Sequence, residues 1–346
     1  MKKNLVFKKF VGYAAICLIG GVVGFALVSC NSSAQSAETK STSISNTAGT
    51  SGNSGAASKV YFTTDISPAG LMAAYNALGQ KPDNATITSG KVAVKMSTGE
   101  PPNSNYLKPD LIKDLVQSVN GTIVESNTAY GGQRASTALH KQVAKDHGFT
   151  AIANVDILDE NGSISLPVSG GARLSENFVG SHFKNYDYFF VLSHFKGHTM
   201  AGLGGAIKNI SIGIASSEGK AWIHSAGKSK TNPWGGEQDA FLDSMAEAGK
   251  SVVDSLNGRI LYINVMNRLS VDCDCNGNPA EPDMHDIGIL ASLDPVALDQ
   301  ACVDLVNSAP DGASLIERMT SRNGYRTIDH GAEIGLGTKV YELIKL

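Results

Sequence analysis

The chain has 346 residues, of which 42% are hydrophobic and 18% charged, with 29 basic and 32 acidic residues and a formal net charge of −3 at pH 7. This length can bury a large core, and the acidic balance argues against nucleic-acid binding, which needs a basic surface. The sequence contains neither a Walker A motif nor a G-x-S-x-G elbow, so nucleotide hydrolysis and serine hydrolysis have no support.

The N-terminus predicts export. Four lysines precede an apolar run over residues 10–28, the pattern of a secretory signal peptide. The run ends in Leu-Val-Ser-Cys at Cys30, which resembles a bacterial lipobox and implies cleavage before Cys30 and attachment of lipid such as palmitate. An uncleaved membrane anchor is the alternative. We therefore expect a lipoprotein held on a membrane of the bacterial cell envelope, outside the cytoplasm.

Three segments follow from this assignment. Residues 1–29 form the signal peptide, and residues 30–58, nearly all Ser, Thr, Ala, Gly and Asn, form a flexible lipid-anchored linker. Removal of the signal peptide leaves 25 basic against 32 acidic residues, so the mature chain is more acidic still. Residues 59–346 then form the folded part.

Strands and helices alternate beyond residue 58. Strands are predicted at residues 91–96, 121–125, 155–158, 188–192, 259–265 and 286–291, and helices at residues 109–119, 136–147, 238–256 and 294–307. This alternation predicts an α/β fold with a mainly parallel sheet and helices on both faces, as one large domain or two closely packed lobes.

The strongest candidate site follows the strand at residues 188–192. His194, Lys196 and His198 come within five residues of one another, and Lys208 and Asn209 lie among the glycines of the next stretch. Open α/β sheets keep their binding sites at such strand ends. Ordinary loop or core residues around tightly packed glycines are the alternative interpretation.

Other cationic residues fall near predicted strand ends. Lys95 lies inside a strand and Arg134 follows a Gly-Gly turn, so both suit a carboxylate or phosphate ligand. Lys220 and His224 share one face if their segment is helical. We expect Lys95, Arg134, Asn209 and Lys220 to bind substrate, with Lys196, Lys208 and His224 as catalytic candidates. His285 is a further candidate acid or base.

Cys273 and Cys275 flank Asp274, so in an extended segment both sulfurs point the same way. A disulfide between them would close a short, strained ring. Zinc or iron ligation, with His194 and His198, is one hypothesis, and unpaired or redox-active thiols are the other. Cys302 lies in a predicted amphipathic helix and is expected in the core.

Five segments in order resemble the family named domain of unknown function 362, in the subgroup labelled uncharacterised iron-sulfur proteins. They include FKGHTMAGLGGAIKN, IGIASSEGK, VDCDC, DIGILASLDPVALDQACVDLV and HGAEIGLGTKVYELI. Related chains often carry a ferredoxin-like module with cysteines spaced C-x₂-C-x₂-C-x₃-C. Residues 228–238 at the equivalent place contain no cysteine, so the sequence predicts no [4Fe-4S] cluster.

Two functional hypotheses follow. The first is an exported metal-dependent or redox enzyme acting on a small anionic substrate, with lysines that stabilise negative charge. The second is a non-catalytic lipoprotein that binds a metal or small anion for a membrane partner. A general acid or base of altered pKa in the pocket favours the enzyme, whereas a metal fully enclosed by protein ligands favours the binding protein.

Overall fold

A computed structural model describes residues 44–45 and 57–346 of the chain. Its strands are β1 (Ile44–Ser45), β2 (Ser58–Thr63), β3 (Val92–Lys95), β4 (Thr122–Glu125), β5 (Val155–Ile157), β6 (Ser163–Pro167), β7 (Glu176–Gly180), β8 (Tyr188–His194), β9 (Lys196–His198), β10 (Gly202–Gly204), β11 (Ile260–Met266), β12 (Gly288–Ser292) and β13 (Tyr341–Lys345). The predicted signal peptide, the lipidated Cys30 and most of the linker lie outside the described residues.

The helices alternate with these strands. They are α1 (Pro68–Ala77), α2 (Asn84–Thr88), α3 (Pro109–Ser118), α4 (Thr137–Asp146), α5 (Ala206–Ile210), α6 (Ser217–His224), α7 (Gln238–Leu256), α8 (Pro295–Ser308), α9 (Ala313–Ser321) and α10 (Tyr325–Glu333). Proline occupies the first turn of α1, α3 and α8, where its fixed φ suits the helix and its missing N–H costs nothing. None of these helices is both long and apolar enough to cross a membrane.

One large sheet organises the described part of the chain. Its strand order is β1-β13-β2-β12-β11-β8-β3-β4-β5. Only β1 and β12 run against their neighbours, so the sheet is mainly parallel, as the sequence predicts. The chain order reverses between β3 and β8, because β4 and β5 continue on one side of β3 while β8 and β11 lie on the other. Ligands of open α/β sheets bind at such a switch point.

Helices cover both faces of this sheet. Strand β8 is buried along its whole length, and its alternate residues enter two different cores. Phe189 and Val191 pack with residues of α5, α7 and α8, whereas Phe190 and Leu192 pack with residues of α1 and α3. The described residues belong to a single compact unit, which favours one large domain over two lobes.

The ten strands and helices predicted in the central part of the chain are all present, with ends shifted by a few residues. Other elements were not predicted from the sequence: strand β2, the hairpin of β6 and β7, the hairpin of β9 and β10, and the C-terminal helices α9 and α10. The hairpin strands are only three to five residues long, too short for an alternating pattern to stand out.

Candidate functional site

A pocket lies at the carboxyl ends of β3, β4 and β8, where the strand order reverses. Its cavity volume is about 80 Å³, which suits a small ligand. Cationic side chains dominate its lining, which includes Lys95, Arg134, His194, Lys196, Lys208, Lys220, Glu125, Asp274, Asn209, Cys273 and Cys275. The sheet therefore brings together most of the residues that the sequence analysis proposed from separate segments.

The first charged cluster is centred on Glu125, the last residue of β4. Its carboxylate accepts a hydrogen bond from Lys95 at 2.9 Å, lies 3.3 Å from Arg134 and accepts the backbone N–H of Thr98 at 2.9 Å. Burial alone would raise the pKa of Glu125, but the Lys95 ammonium and the nearby His140 and Arg134 hold it well below its usual range. Arg134 also pairs with Glu100 at 3.0 Å. The charges of Lys95 and Arg134 are thus neutralised by protein carboxylates.

The second cluster is centred on Asp274, between the two cysteines. Its carboxylate pairs with Lys196 at 3.0 Å and with Nδ1 of His194 at 2.9 Å. Burial opposes ionisation, yet the Lys196 and His194 charges hold the pKa of Asp274 below its usual range. Nε2 of His194 faces the carbonyl of Asn267 at 2.6 Å. Both ring nitrogens therefore face oxygen acceptors, the arrangement of a doubly protonated imidazolium.

Two lysines differ from the others because they pair with no carboxylate among the described residues. Lys220 donates to the carbonyls of Ala215, at 2.6 Å, and Ser126, at 3.4 Å. Within residues 57–346, Lys208 Nζ has no hydrogen-bond partner. Burial, reinforced by the neighbouring lysines Lys196 and Lys95, lowers the pKa of Lys208 to about 7. Burial also lowers the pKa of Lys220, to about 8. Lys220 is buried and Lys208 is half-buried, and removing an ammonium from water without a counterion is costly, so both side chains suit an anionic ligand.

Helix α5 carries Lys208 and Asn209, and a buried carboxylate fixes its first turn. Asp299 of α8 accepts the backbone N–H groups of Ala206, at 2.7 Å, and Ile207, at 2.9 Å. Gly205 is needed there, because a Cβ at this position would lie 2.3 Å from the Asp299 carboxylate. The Asn209 amide donates to Ser193 Oγ at 3.0 Å and to the carbonyls of β3 and β8. It therefore bridges the two strand ends at the switch point.

The two cysteines are joined as a disulfide, with 5.2 Å between their Cα atoms. This differs from the expectation from the sequence, which was that ring strain disfavours a disulfide between cysteines two residues apart. The cysteine loop is fixed by main-chain contacts: Asp274 C=O accepts from Glu100 N–H at 2.7 Å, and Ser270 C=O accepts from Gly197 N–H at 2.8 Å. A Cβ at Gly197 would lie 2.2 Å from the carbonyl of Val271, so only glycine allows this approach.

His198 lies behind the disulfide, and its Nε2 is 3.7 Å from Sγ of Cys275. Its Nδ1 accepts the backbone N–H groups of Met200, at 3.1 Å, and Ala201, at 2.9 Å. Burial, together with Lys208, holds the pKa of His198 well below its usual range, so the ring is neutral. A neutral imidazole that accepts at Nδ1 carries its proton on Nε2. His198 therefore directs an N–H at the sulfur of Cys275.

The side chains of His198, Cys273 and Cys275 lie close enough together to offer donor atoms to one metal ion. One ligand atom each from His198, Cys273 and Cys275 lies within 4.8 Å of the others. Two conditions limit the fit, because the disulfide must first be reduced and His198 would need a free lone pair on Nε2. Ligating histidines normally donate their second ring N–H, whereas Nδ1 of His198 accepts two hydrogen bonds. His194, the other predicted ligand, has both nitrogens occupied by Asp274 and Asn267.

The remaining predicted residues lie away from the pocket. Helix α6 does place Lys220 and His224 one turn apart, but His224 stacks on Phe241 with ring centroids 4.7 Å apart, and its Nδ1 contacts the carbonyl of Lys220 at 2.7 Å. Burial lowers the pKa of His224 to about 4, so it packs as a neutral ring. His285 is exposed and pairs with Asp311 at 2.8 Å. Neither imidazole lines the pocket.

Glu125 is the central residue that the sequence analysis did not select. It ends the apolar strand Thr122–Glu125 and lies beside Lys95 of the neighbouring strand, since Lys95 is in register with Val124. The sequence did contain a signal for Glu125, because this carboxylate ends a buried strand that neighbours the strand with the embedded lysine, Lys95.

Comparisons with known proteins agree with the resemblance noted above. The family model described as "Domain of unknown function (DUF362)" matches residues 92–304, more than half of the chain. No curated protein matches the chain at a significant level. Among solved structures, the lactate racemase apoprotein from Thermoanaerobacterium thermosaccharolyticum is similar with 13% identity and a TM-score of 0.41. A protein from Thermotoga maritima is similar with 13% identity and a TM-score of 0.38.

These two similarities cover 72% and 68% of this chain, respectively. The chain spans 57% of the length of each of the two solved structures. The match of the family model over residues 92–304 includes the pocket, the hairpin of β9 and β10 and the cysteine loop. The protein belongs to the domain of unknown function 362 family.

Proposed function

We propose that this protein is a redox enzyme that binds a small anionic substrate beside the Cys273–Cys275 pair. The observation that carries the proposal is that this disulfide lines the same pocket as Lys208 and Lys220, a half-buried and a buried ammonium group without a carboxylate partner. Lys95, Arg134 and Lys196 are already paired with carboxylates. A bound anion would satisfy the two remaining lysines in a partly enclosed site, where such interactions are stronger than in bulk water.

The surroundings of the sulfurs support a cycle between disulfide and dithiol. The backbone N–H of Cys275 donates to Sγ of Cys273 at 3.2 Å, and Nε2 of His198 faces Sγ of Cys275 at 3.7 Å. Each sulfur therefore has a hydrogen-bond donor that stabilises its thiolate. The lysines that line the same pocket favour the thiolate further. Asp274, held by Lys196 and His194, keeps the backbone between the sulfurs in place.

Coupling between anion binding and reduction tests this proposal. Reduction places negative charge next to the anion, so the oxidised protein should bind sulfate more tightly than the reduced protein. The midpoint potential of the Cys273–Cys275 couple should then fall when sulfate is added, by about 30 mV for each tenfold difference in affinity. The measurement uses the full-length protein in detergent, with thiols counted by alkylation and mass spectrometry across a series of redox buffers.

The Lys208→Met/Lys220→Met variant serves as the comparison in this titration, because methionine retains the apolar length and removes the charge. We expect its potential to be independent of sulfate. If the wild-type protein binds no sulfate in calorimetry and its potential is equally insensitive, the proposed function is wrong. Sulfate binding without any effect on the potential would favour the non-catalytic binding protein.

A metal-dependent enzyme is the second candidate, favoured by the three donor atoms of His198, Cys273 and Cys275 within 4.8 Å. Thiolates with imidazole suit zinc or iron. The test is elemental analysis of the full-length protein purified under anaerobic conditions with reductant. Stoichiometric metal in the wild type, absent from the Cys273→Ser/Cys275→Ser variant, would support this candidate. Equal metal content in both would remove the cysteines as ligands.

We also propose that the enzyme acts at the cell envelope, anchored by lipid on Cys30. The support is the charged N-terminus, the apolar run and the Leu-Val-Ser-Cys ending. Intact-mass measurement of the protein from a bacterial membrane should show a chain that starts at Cys30 and carries acyl mass. The Cys30→Ser variant should lack that mass. A mature chain with a different N-terminus would contradict the anchor.

A further inference from the structure

The pocket places its redox-active sulfurs and its unpaired cations together, and this combination restricts what can reach the sulfurs. Cys273, Cys275, Lys208 and Lys220 all line one cavity of about 80 Å³. A molecule that approaches the disulfide therefore lies among ammonium groups. Carboxylate or sulfonate groups on that molecule would be attracted, and ammonium groups would be repelled. The pocket thus selects by charge as well as by size.

The two sulfurs of the disulfide are not equivalent. Cys273 is only 4% exposed, whereas Cys275 is partly exposed. Sγ of Cys273 accepts the backbone N–H of Cys275, which stabilises negative charge on Cys273. Thiol–disulfide exchange depends on access to the attacked sulfur and on the stability of the departing thiolate. The greater exposure of Cys275 favours attack on its sulfur. The donor contact is shorter at Cys273, 3.2 Å against 3.7 Å at Cys275, which favours Cys273 as the leaving group.

We propose that the substrate is a small anionic thiol, which the enzyme oxidises to its disulfide through attack on Cys275. This inference rests on the redox function proposed above and assigns its substrate class. It follows from two features of the pocket, its excess of cations and its disulfide with one accessible sulfur. The reverse reaction, in which the dithiol form reduces a second small anionic disulfide to two thiols, uses the same groups and restores the protein disulfide.

The chemistry balances in two steps. The thiolate of the first substrate forms a bond to Sγ of Cys275, the Cys273–Cys275 bond breaks, and Cys273 leaves as a thiolate. A second substrate thiolate then attacks the substrate sulfur of the mixed disulfide, and Cys275 leaves as a thiolate toward the N–H of His198. Two electrons pass from the two thiols to the protein disulfide, and the two thiol protons pass to the cysteines or to solvent.

Charge selectivity in the reduction of the protein disulfide tests this proposal. The oxidised full-length protein is treated near neutral pH with 2-mercaptoethanesulfonate (anionic), 2-mercaptoethanol (neutral) and cysteamine (cationic). Each rate constant is divided by that of the same thiol with 2-hydroxyethyl disulfide, which removes differences in thiol reactivity. We expect the normalised rate of the anionic thiol to exceed that of the cationic thiol by at least about tenfold.

Two lysine variants make the test specific to the pocket. Lys208→Met/Lys220→Met should bring the ratio of normalised rates close to one, whereas Lys113→Met, at an exposed position on α3, should leave the ratio unchanged. Equal normalised rates for the three thiols with the wild-type protein would overturn the substrate class. If the same protein still binds sulfate and its potential still responds to it, the redox function stands and only the thiol assignment fails.

The order of attack has its own test. The Cys273→Ser and Cys275→Ser variants each retain one thiol of the pair, and both are treated with the disulfide of 2-mercaptoethanesulfonate. The variant that retains Cys275 should form the mixed disulfide faster, by mass spectrometry, than the variant that retains Cys273. Faster modification of Cys273 would overturn the assignment of Cys275 as the attacked sulfur. Circular dichroism of both variants establishes that they are folded.

Discussion

Two buried charged regions of this protein differ in how their charges are matched. Between α7 and α10, Glu247 is fully buried. Its carboxylate accepts hydrogen bonds from the backbone N–H groups of residues 172–174 and lies 3.1 Å from Nε2 of His330. Asp243 in the same region pairs with Arg326 at 2.6 Å and with Arg173 at 3.2 Å. Both carboxylates of this region are therefore paired with a cationic side chain or with backbone N–H donors. The pocket instead keeps Lys208 and Lys220 without a carboxylate.

The difference separates charge that stabilises the fold from charge that is available to a ligand. Removal of one partner from a buried, matched network leaves an uncompensated group and destabilises the protein. A buried ammonium that has no partner already destabilises the unliganded protein, and a bound anion offsets this cost. Substitutions in the two regions should therefore have opposite effects on stability and on anion binding.

The largest effect is expected for Glu247→Gln. Its amide NH₂ would face backbone N–H groups that the carboxylate now accepts, so the free energy of unfolding should fall by about 3–5 kcal/mol. Sulfate affinity of the folded protein should not change. Urea unfolding and calorimetry measure the two quantities. Glu333→Gln, at the exposed rim of the same network, is the control, with a change below about 1 kcal/mol. Equal losses in the two variants would contradict the comparison.

The next effect is expected for Lys208→Met and Lys220→Met. Each should weaken sulfate binding by about 10- to 100-fold, because one ammonium near the anion contributes about 1–3 kcal/mol at intermediate dielectric. Without sulfate, the melting temperature should stay the same or rise, since each variant removes an unpaired charge that is buried or half-buried. Lys113→Met is the control. Equal melting losses for both pocket variants with unchanged sulfate binding would make these lysines structural.

The dependence on pH separates the effect of the two lysine charges on sulfate binding from their effect on the stability of the unliganded protein. The pKa of Lys208 is lowered to about 7 and that of Lys220 to about 8, and only the protonated forms attract an anion. Sulfate affinity should therefore fall as the pH rises through about 7 to 8. In the unfolded chain both lysines have the ordinary pKa of about 10.4. Without sulfate, the unfolded chain therefore binds more protons than the folded chain between the lowered pKa values and about 10.4. The free energy of unfolding should rise with pH over that range.

Titrations at several pH values, by calorimetry for affinity and by thermal unfolding for stability, measure both trends. The Lys208→Met/Lys220→Met variant should lose both contributions. A wild-type sulfate affinity that is constant from pH 6 to 9, a range of about three units around the lowered values, would show that these ammoniums do not bind the anion.

The smallest effect is expected for His285→Gln. His285 and Asp311 form an exposed pair outside the pocket, so the free energy of unfolding should change by less than about 1 kcal/mol. Sulfate affinity and the rate of disulfide reduction should remain those of the wild type. A marked loss of sulfate affinity or of the reduction rate would make His285 a candidate acid or base again. It would also show that the exposed His285–Asp311 pair contributes to the function of the pocket.

The sequence predicted the sheet, its main helices and the clustering of strand-end residues, because buried parallel strands such as Tyr188–His194 have a strong apolar pattern. It also located Lys208 and Lys220 beside strand ends. It could not predict which lysines would be paired, since Glu125 and Asp274 reach Lys95 and Lys196 only through the fold. Nor could it show that Nδ1 of His198 accepts two backbone N–H groups, which depends on the hairpin of β9 and β10.

The main-chain contact at Gly197 has a consequence for electron transfer at the disulfide. Because the Gly197 N–H donates to Ser270 C=O and the Cα of Gly197 lies against Val271, the cysteine loop is held to a hairpin that continues directly from the central sheet. A preorganised frame requires little rearrangement when charge appears in it. The proposed opening and closing of the sulfur–sulfur bond would therefore require only a small reorganisation energy.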